Sequence, residues 1–350
     1  MNKILHIIYL LFLPGILCAQ IGNFSQFYST SQLLNPAMTG LEIDYYFGLN
    51  YRSQWRGQGE PTNAQHFACS LPIFFTQGNF EQHKGGLGLS VFNQQAGMDR
   101  VYKSTAIQVS AAYNLNLDKF STQMISFGMQ AGWHQNRMDY GNIITGSMYD
   151  PFTGQVNPNA SPSIDMADLN NQVNVPLVNL GIMYYLNPKS TGRRHRYSMF
   201  GGFAASTLNR PNATLYKETD GYRLPITYKV HGGIDLRSRD ADMFFSPNFL
   251  IRHEDGLTQY NLGAYYTYQI ERNHREKTFF HATLGMWYRL GDSFIFSAGF
   301  IRNALSVAFS YDLNINNIRY NTSGGGAAEI SIAYRILKER KVKRFSTPLM

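Results

Sequence analysis

The stretch ALSVAFSYDLNI, residues 304–315, alternates between large apolar side chains and small or polar ones. The same period of two recurs in ISFGMQAGWHQ (125–135) and AEISIAYRI (328–336). A period of two predicts β-strands with one apolar and one polar face. The polar faces are rich in Gly and Ser, and only 15% of residues are charged. This balance favours a membrane barrel with a polar lumen over a soluble sandwich, whose inner faces are both apolar.

Reading every alternating segment in this way predicts an all-β, transmembrane antiparallel β-barrel of about 14 strands over residues 45–336. The predicted strands span 45–54, 62–71, 85–95, 101–117, 121–139, 173–186, 196–208, 226–237, 243–253, 257–270, 278–290, 293–301, 304–315 and 327–336. An even strand count predicts that both mature termini are periplasmic. The longest connection, 140–172, then lies outside the cell. The periplasmic connections are short, apart from 72–84, which is longer than the others.

The chain begins like an exported protein. An apolar run, residues 4–17, follows Lys3 and is too short to cross a membrane as a helix, so residues 1–19 are predicted to be a signal peptide. Cys18 raises a lipoprotein alternative, although Leu17 is larger than the residue that normally precedes a lipidated cysteine. The predicted location is the outer membrane of a Gram-negative bacterium, in contact with its lipid.

The sequence shows no pattern that predicts an enzyme, a cofactor or a metal site. The histidines are spread over the whole predicted barrel, and the Gly-rich SGGGAAE (323–329) lacks the Lys-Ser/Thr of a phosphate loop. The formal net charge is +8, but the basic residues are scattered along an exported chain, so nucleic acid is not a predicted partner.

Three charged residues fall on predicted lumen faces near the outer ends of the first and last strands: Arg52, Asp312 and Glu329. The first and last strands of a barrel must pair, and an unpaired charge in a narrow lumen would be costly. We therefore predict that Arg52 pairs with Glu329, Asp312 or both across the closing seam. A structural clamp is favoured over a selectivity filter.

The predicted periplasmic side carries an excess of basic residues. They lie in two turns and in the C-terminal segment 337–350, which is predicted to be a basic periplasmic tail. Solvated turns or contact with anionic lipid would explain them, and so would a docking face for an acidic periplasmic partner. The docking candidates are Lys189, Arg193, Arg194, Arg272, Arg275, Lys338, Arg340 and Lys341.

Several motifs, taken together in their order, resemble the PorP/SprF family of the type IX secretion and gliding machinery. They are LLNPAMTG (33–40), YRSQW (51–55), GGLGLSV (85–91), FSYDLNINN (309–317) and AAEISIAYRI (327–336). The resemblance implies a barrel related to fatty-acid transporters, periplasmic ring and lipoprotein partners, and cargo proteins with C-terminal sorting domains. The positions that match the family motifs are Asn35, Pro36, Gly40, Arg52, Gln54, Trp55, Ser310, Tyr311, Asp312 and Glu329.

Residues 20–44, ahead of the first strand, form an N-terminal plug or periplasmic segment in this interpretation. The stretch QFYSTSQLLNPAMTG (26–40) is uncharged and semi-apolar, unlike typical disorder. It either folds into the barrel as a plug, lies against the periplasmic rim, or is a disordered leader, and the plug is favoured. A short helix is predicted, capped by Ser29 or Ser31 and ended by Pro36.

The leading functional hypothesis is a non-enzymatic barrel that serves type IX secretion or cargo attachment and has an occluded lumen. The alternative is an uptake channel for small hydrophobic solutes, which needs an open or gated lumen.

Overall fold

The computed structural model describes residues 24–55, 61–77, 80–97, 100–118, 122–139, 148, 150, 153, 155–157, 170–187, 197–215, 221–237, 243–273, 278–315 and 325–336. The predicted signal peptide and the basic tail, 337–350, lie outside these residues. No helix in the described part of the chain is both long enough and apolar enough to cross a membrane.

The described residues form a closed, antiparallel barrel of 14 strands. The strands are β1 (Tyr45–Gln54), β2 (Thr62–Gln77), β3 (Phe80–Ala96), β4 (Tyr102–Asn116), β5 (Gln123–Met138), β6 (Gln172–Leu186), β7 (Tyr197–Ser206), β8 (Thr227–Arg237), β9 (Met243–Glu254), β10 (Leu257–Asn273), β11 (Thr278–Arg289), β12 (Ser293–Arg302), β13 (Leu305–Asn314) and β14 (Gly325–Ile336). Each strand pairs with its neighbours in sequence, and β14 returns to β1 with Tyr45 opposite Ile336. The predicted fold class is therefore confirmed.

We call the end of the barrel where β1 begins and β14 ends the proximal end, and the opposite end the distal end. Along each strand, side chains alternate between the lumen and the outer surface. In β13, for example, Ser310 and Asp312 are buried in the lumen, whereas Phe309 and Tyr311 are exposed outside. The exposed apolar residues form the surface that the outer-membrane lipid covers.

One predicted connection is wrong. The segment 72–84 is not a loop, because β2 continues to Gln77 and β3 starts at Phe80, so the two strands form a hairpin beyond the proximal rim. Strand β2 passes through Pro72 just beyond the point where its pairing with β1 ends, at Ser70. Pro72 therefore lies in a part of β2 that has lost one neighbour, where a missing backbone N–H is tolerated.

Ahead of β1 lie a single helical turn, α1 (Ser31–Leu34), and a 3₁₀ turn, Pro36–Met38. Helix α1 ends at Asn35, as the following proline predicts. The predicted cap is wrong: Thr30 occupies the N-cap position and makes no side-chain cap bond. The Ser29 and Thr30 hydroxyls instead donate to the carbonyls of Gln26 and Phe27.

Candidate functional site

The segment Phe24–Asp44, which we call the plug, lies inside the barrel. Every residue in it is buried except Leu33 and Glu42, which are half-buried. The apolar side chains Phe24, Phe27 and Leu34 are at most 7% exposed, and burying each contributes about 2 kcal/mol. An uncharged, semi-apolar sequence is thus explained by a lumen that it fills.

The plug runs along the lumen from the distal to the proximal end. The Ser25 hydroxyl accepts a hydrogen bond at 3.2 Å from Arg289, the last residue of β11, which is a distal position. Near the other end of the plug, the Glu42 carboxylate forms a 2.7 Å ion pair with Arg335, which precedes the last residue of β14. Phe24 and Ser25 therefore lie at the distal end, opposite the end where β1 begins. The prediction that both termini lie on the same side of the membrane fails for these first described residues, because the plug crosses the lumen before β1 starts.

Lumen side chains satisfy the backbone of the plug, which has little regular structure of its own. The Glu329 carboxylate accepts from the backbone N–H groups of Ser25 (2.7 Å) and Gln26 (3.2 Å). The Lys229 ammonium donates to the Leu33 carbonyl at 2.6 Å, at the C-terminal end of α1. Such bonds matter because a buried backbone group without a partner destabilises the folded state.

Plug side chains in turn bind the carbonyls of the wall. The Asn35 amide donates to the Ile182 carbonyl at 3.1 Å and lies 3.1 Å from Nε2 of His231. Its Oδ1 accepts from the Ala37 N–H at 2.9 Å and so starts the 3₁₀ turn. Asn35 therefore fixes both the shape of the plug and its position against β6–β8.

Glycines in the wall make room for the plug backbone. A Cβ atom added at Gly128 would lie 2.2 Å from the Ala37 nitrogen, and one at Gly181 would lie 1.9 Å from Oδ1 of Asn35. At the proximal end, Gly40 has a φ of +62°, and an added Cβ would lie 2.3 Å from the Gly86 Cα. A side chain cannot fit at these points, so the wall and the plug are complementary in shape.

The charged residues of the closing seam meet around Ser25. Arg52 lies opposite Glu329 in the β1–β14 pairing, with ion pairs of 3.0 Å to Asp312 and 3.4 Å to Glu329. The Ser25 hydroxyl accepts from Arg52 at 2.6 Å and donates to Asp312 at 2.7 Å. Arg289 lies 3.5 Å from Asp312. The cluster therefore joins the seam and also holds the distal end of the plug.

Aromatic side chains pack the middle of the plug against the opposite wall. Phe27 meets the Trp287 ring edge-on at a centroid distance of 4.7 Å, and Tyr28 meets Phe200 edge-on at 5.6 Å. The Tyr28 hydroxyl donates to the Gly232 carbonyl at 3.4 Å. The lumen of the barrel thus contains an apolar core.

The other motif positions do not form one site. Ser310 accepts a hydrogen bond from the Gln26 side chain in the lumen, whereas Tyr311 faces outward. Gln54 ends β1, and Trp55 follows it with a φ of +60° and donates its N–H to the Gly326 carbonyl. Ser310 therefore faces the lumen, Tyr311 faces the outer surface, and Gln54 and Trp55 lie at the distal end of β1.

Among the docking candidates, Arg272 lies near the proximal end of β10. The remaining candidates lie outside the described residues: Lys189, Arg193, Arg194, Arg275, Lys338, Arg340 and Lys341. In the described part of the chain, no cluster of His, Cys, Asp and Glu side chains could hold a metal ion.

Sequence reasoning missed Lys229, Ser126 and the wall glycines. The Ser126 hydroxyl donates to the Ala37 carbonyl at 2.7 Å, next to Gly128. A signal was present in the sequence, because a glycine on the lumen face of a strand indicates close approach of another backbone. The sequence of β5 does not show which backbone segment lies against it.

Solved structures of similar fold include transporters and channels. The toluene transporter TbuX of Ralstonia pickettii has a TM-score of 0.50 at 11% identity, over 88% of this chain and 94% of that chain. A FadL homologue of Pseudomonas aeruginosa has a TM-score of 0.47 at 11% identity, over 87% of this chain and 94% of that chain. The CymD monoaromatic hydrocarbon channel has a TM-score of 0.45 at 13% identity, over 91% of this chain and 95% of that chain. At this level of identity, the likeness concerns the barrel fold alone.

Comparison with curated protein sequences gives no match. The family described as "Type IX secretion system membrane protein PorP/SprF" matches residues 17–334, which is nearly the whole chain. That range includes the plug, strands β1–β13 and all but the last two residues of β14. The chain therefore belongs to the PorP/SprF family of type IX secretion system membrane proteins.

Proposed function

We propose that this protein is a plugged, non-enzymatic barrel that supports secretion or surface attachment of type IX cargo. The supporting observation is the lumen, which is filled by a buried segment with shape-matched glycines and hydrogen-bonded backbone groups. A lumen filled in this way leaves no route for a folded cargo protein. The barrel would then act through the partners that it holds at its two ends.

The orientation follows from the connections. The longest of them, between β5 and β6, is at the distal end, and outer-membrane barrels place long connections outside the cell. The proximal end then faces the periplasm, where the basic docking candidates would meet acidic surfaces of ring or lipoprotein components. Cargo proteins with C-terminal sorting domains would be handled at the distal end.

The proposal is tested by deleting the gene and measuring the export and surface attachment of proteins with C-terminal sorting domains. We expect such cargo to accumulate inside the cell or to leave the surface. Affinity purification from outer membranes should also recover periplasmic ring lipoproteins, and charge-neutral variants of the docking candidates should recover less. Normal cargo export and attachment in the deletion strain would contradict the proposal.

The uptake alternative has less support, since a hydrophobic solute needs a continuous path and the plug spans the lumen from Ser25 to Glu42. In planar bilayers, the purified protein should be silent. Steady conductance, or accumulation of an aromatic hydrocarbon in proteoliposomes, would favour an uptake channel instead.

A further inference from the structure

Strand β7 is shorter than its neighbour β6, so part of β6 has no paired strand on that side in the described part of the chain. Strand β6 spans Gln172–Leu186, yet β7 pairs only with Leu180–Leu186 because β7 ends at Ser206. The distal half of β6, Gln172–Asn179, therefore has β5 on one side and no paired strand on the other among the described residues. An edge of this kind offers backbone donors and acceptors to another chain.

A side chain takes the place of the missing strand. The Oδ1 of Asn209 accepts from the Val178 N–H at 3.2 Å, and its Nδ2 donates to the Pro176 carbonyl at 2.7 Å. The Leu208 N–H donates to the Val178 carbonyl at 2.9 Å. One amide group thus imitates the two bonds that a strand would make.

The turn that carries Asn209 is strained and exposed. Thr207 and Arg210, on either side of Leu208–Asn209, have φ angles of +61° and +41°, which are unfavourable for residues with a side chain. Asn209 and Arg210 are exposed, so no packed layer of the described residues covers them. Pro176 also has no N–H to offer on this edge, so a strand lying along it, whether β7 or an added one, forms one ladder bond fewer.

The flanking side chains suit an extended peptide. Val175 and Leu177 are buried and face the lumen next to Ala213 and Leu224, whereas Val178 faces outward. Alternate side chains of an added strand would meet an apolar surface on each face, which is the usual basis of specificity in strand addition.

We propose that the distal half of β6 accepts an extended segment of an exported protein as an added strand when Asn209 leaves the edge. A lipid acyl chain fits less well, because the groups that Asn209 would uncover are backbone N–H and C=O, and these need hydrogen-bonding partners in a membrane. The inference rests on the proposed function, since it requires exported proteins to reach the distal end.

The experiment places the photocrosslinking residue benzoylphenylalanine at Val178 or at Asn174 in cells that are exporting cargo. The matched control is Val230, an outward-facing valine of β8 that pairs with Phe203 on one side and Ile251 on the other. We expect adducts to exported cargo at Val178 and few at Val230, and adducts at Val178 only to other proteins or to another copy of this chain would overturn the inference. Partner residues joined to 174 and to 178 should lie four positions apart, because an added strand keeps the register of β6.

Variants at Asn209 test the mechanism. Asn209→Ala removes both side-chain bonds to the edge, leaves the bond from the Leu208 N–H, and should raise the adduct yield at Val178 by roughly fivefold to tenfold, as expected for the loss of one or two hydrogen bonds. Asn209→Asp keeps the acceptor for the Val178 N–H, removes the donor to Pro176 and should give a smaller rise. Heat-modifiable mobility on gels checks that each variant folds, and faster amide exchange at Val178 reports the release.

The inference is overturned by adducts only to lipid, by no adduct at Val178, or by equal protein yields at Val178 and Val230. Partner residues without the four-residue spacing would also count against strand addition. The proposed function fails separately, when cargo export and attachment are normal in the deletion strain. Lost export together with no adduct at Val178 would reject the edge and leave the proposed function standing.

Discussion

A methyl group at position 128 should push the plug out of place. Gly128 faces the lumen in β5, where an added Cβ would lie 2.2 Å from the Ala37 nitrogen and 2.3 Å from the Pro36 carbonyl carbon. Real Cβ contacts are essentially never shorter than 3.0 Å, so either the plug or β5 must move by about 1 Å. The wall is held by hydrogen bonds to β4 and β6 along its whole length, whereas the plug is not part of the ladder.

The expected size follows from the contacts that the shift disturbs. Overpacking of this kind costs about 1–3 kcal/mol, and the hydrogen bond from the Ser126 hydroxyl to the Ala37 carbonyl would contribute about 1 kcal/mol more if lost. A total of about 2–4 kcal/mol should increase amide exchange of residues 33–39 by roughly 30-fold to 1,000-fold, since 1.4 kcal/mol is a factor of ten. The Gly128→Ala barrel should also show brief openings in planar bilayers.

Gly201→Ala is the control, because an added Cβ at Gly201 has no close neighbour, the nearest atom being the His231 carbonyl oxygen at 3.9 Å. Removing a glycine from a strand is otherwise neutral or mildly stabilising. Gly201→Ala should therefore stay silent with unchanged exchange. If Gly128→Ala behaves like Gly201→Ala in both measurements, the plug is not packed against β5 as described, and the reasoning from complementary shape is refuted.

Other perturbations test the rest of the lumen. Deleting residues 24–38 should leave the folded barrel detectable on heat-modifiability gels and convert a silent protein into a steady channel; continued silence would mean that another element closes the lumen. Reversing either Arg52 or Glu329 should destabilise the barrel by about 3–5 kcal/mol, because a buried charge loses its partner. Exchanging the two residues should restore thermal stability in part, but not the two backbone bonds that Glu329 accepts from the plug, so plug exchange should stay fast. If the single and double variants are equally stable, Arg52 and Glu329 do not form a stabilising ion pair. Lys229→Met should speed amide exchange in α1 without opening the channel, since it removes a bond to the plug, at the Leu33 carbonyl, and one within the wall, to Ser206; a conducting variant would assign Lys229 a larger role.

Alternation alone identified most of the barrel. Strand β1 has the predicted bounds, Tyr45–Gln54, and most other strands differ from prediction by only a few residues. The reason is that a lipid-facing strand must be apolar on one face along its whole length, so the period of two is continuous and local. The exception was β2–β3, where both strands extend beyond the predicted bounds and form a hairpin past the last residue that pairs with β1.

The seam was also readable, because closure requires the first and last strands to meet and a buried charge requires a partner. Arg52 and Glu329 follow from those two conditions, and the register of β1 against β14 places them opposite each other. The bond from Ser25 to the same cluster did not follow, since nothing in the sequence ties residue 25 to residues 289, 312 and 329.

The sequence by itself determined the strand pattern, the number of strands and the uncharged character of residues 26–40. These properties depend on neighbouring residues and on the membrane, and both are visible in a single chain. Tertiary structure alone decided that this segment runs from the distal to the proximal end, that Gly128 and Gly181 make room for Asn35–Ala37, and that Asn209 completes the edge of β6. Each of these contacts joins residues far apart in the chain, and the closure of the barrel is what brings them together.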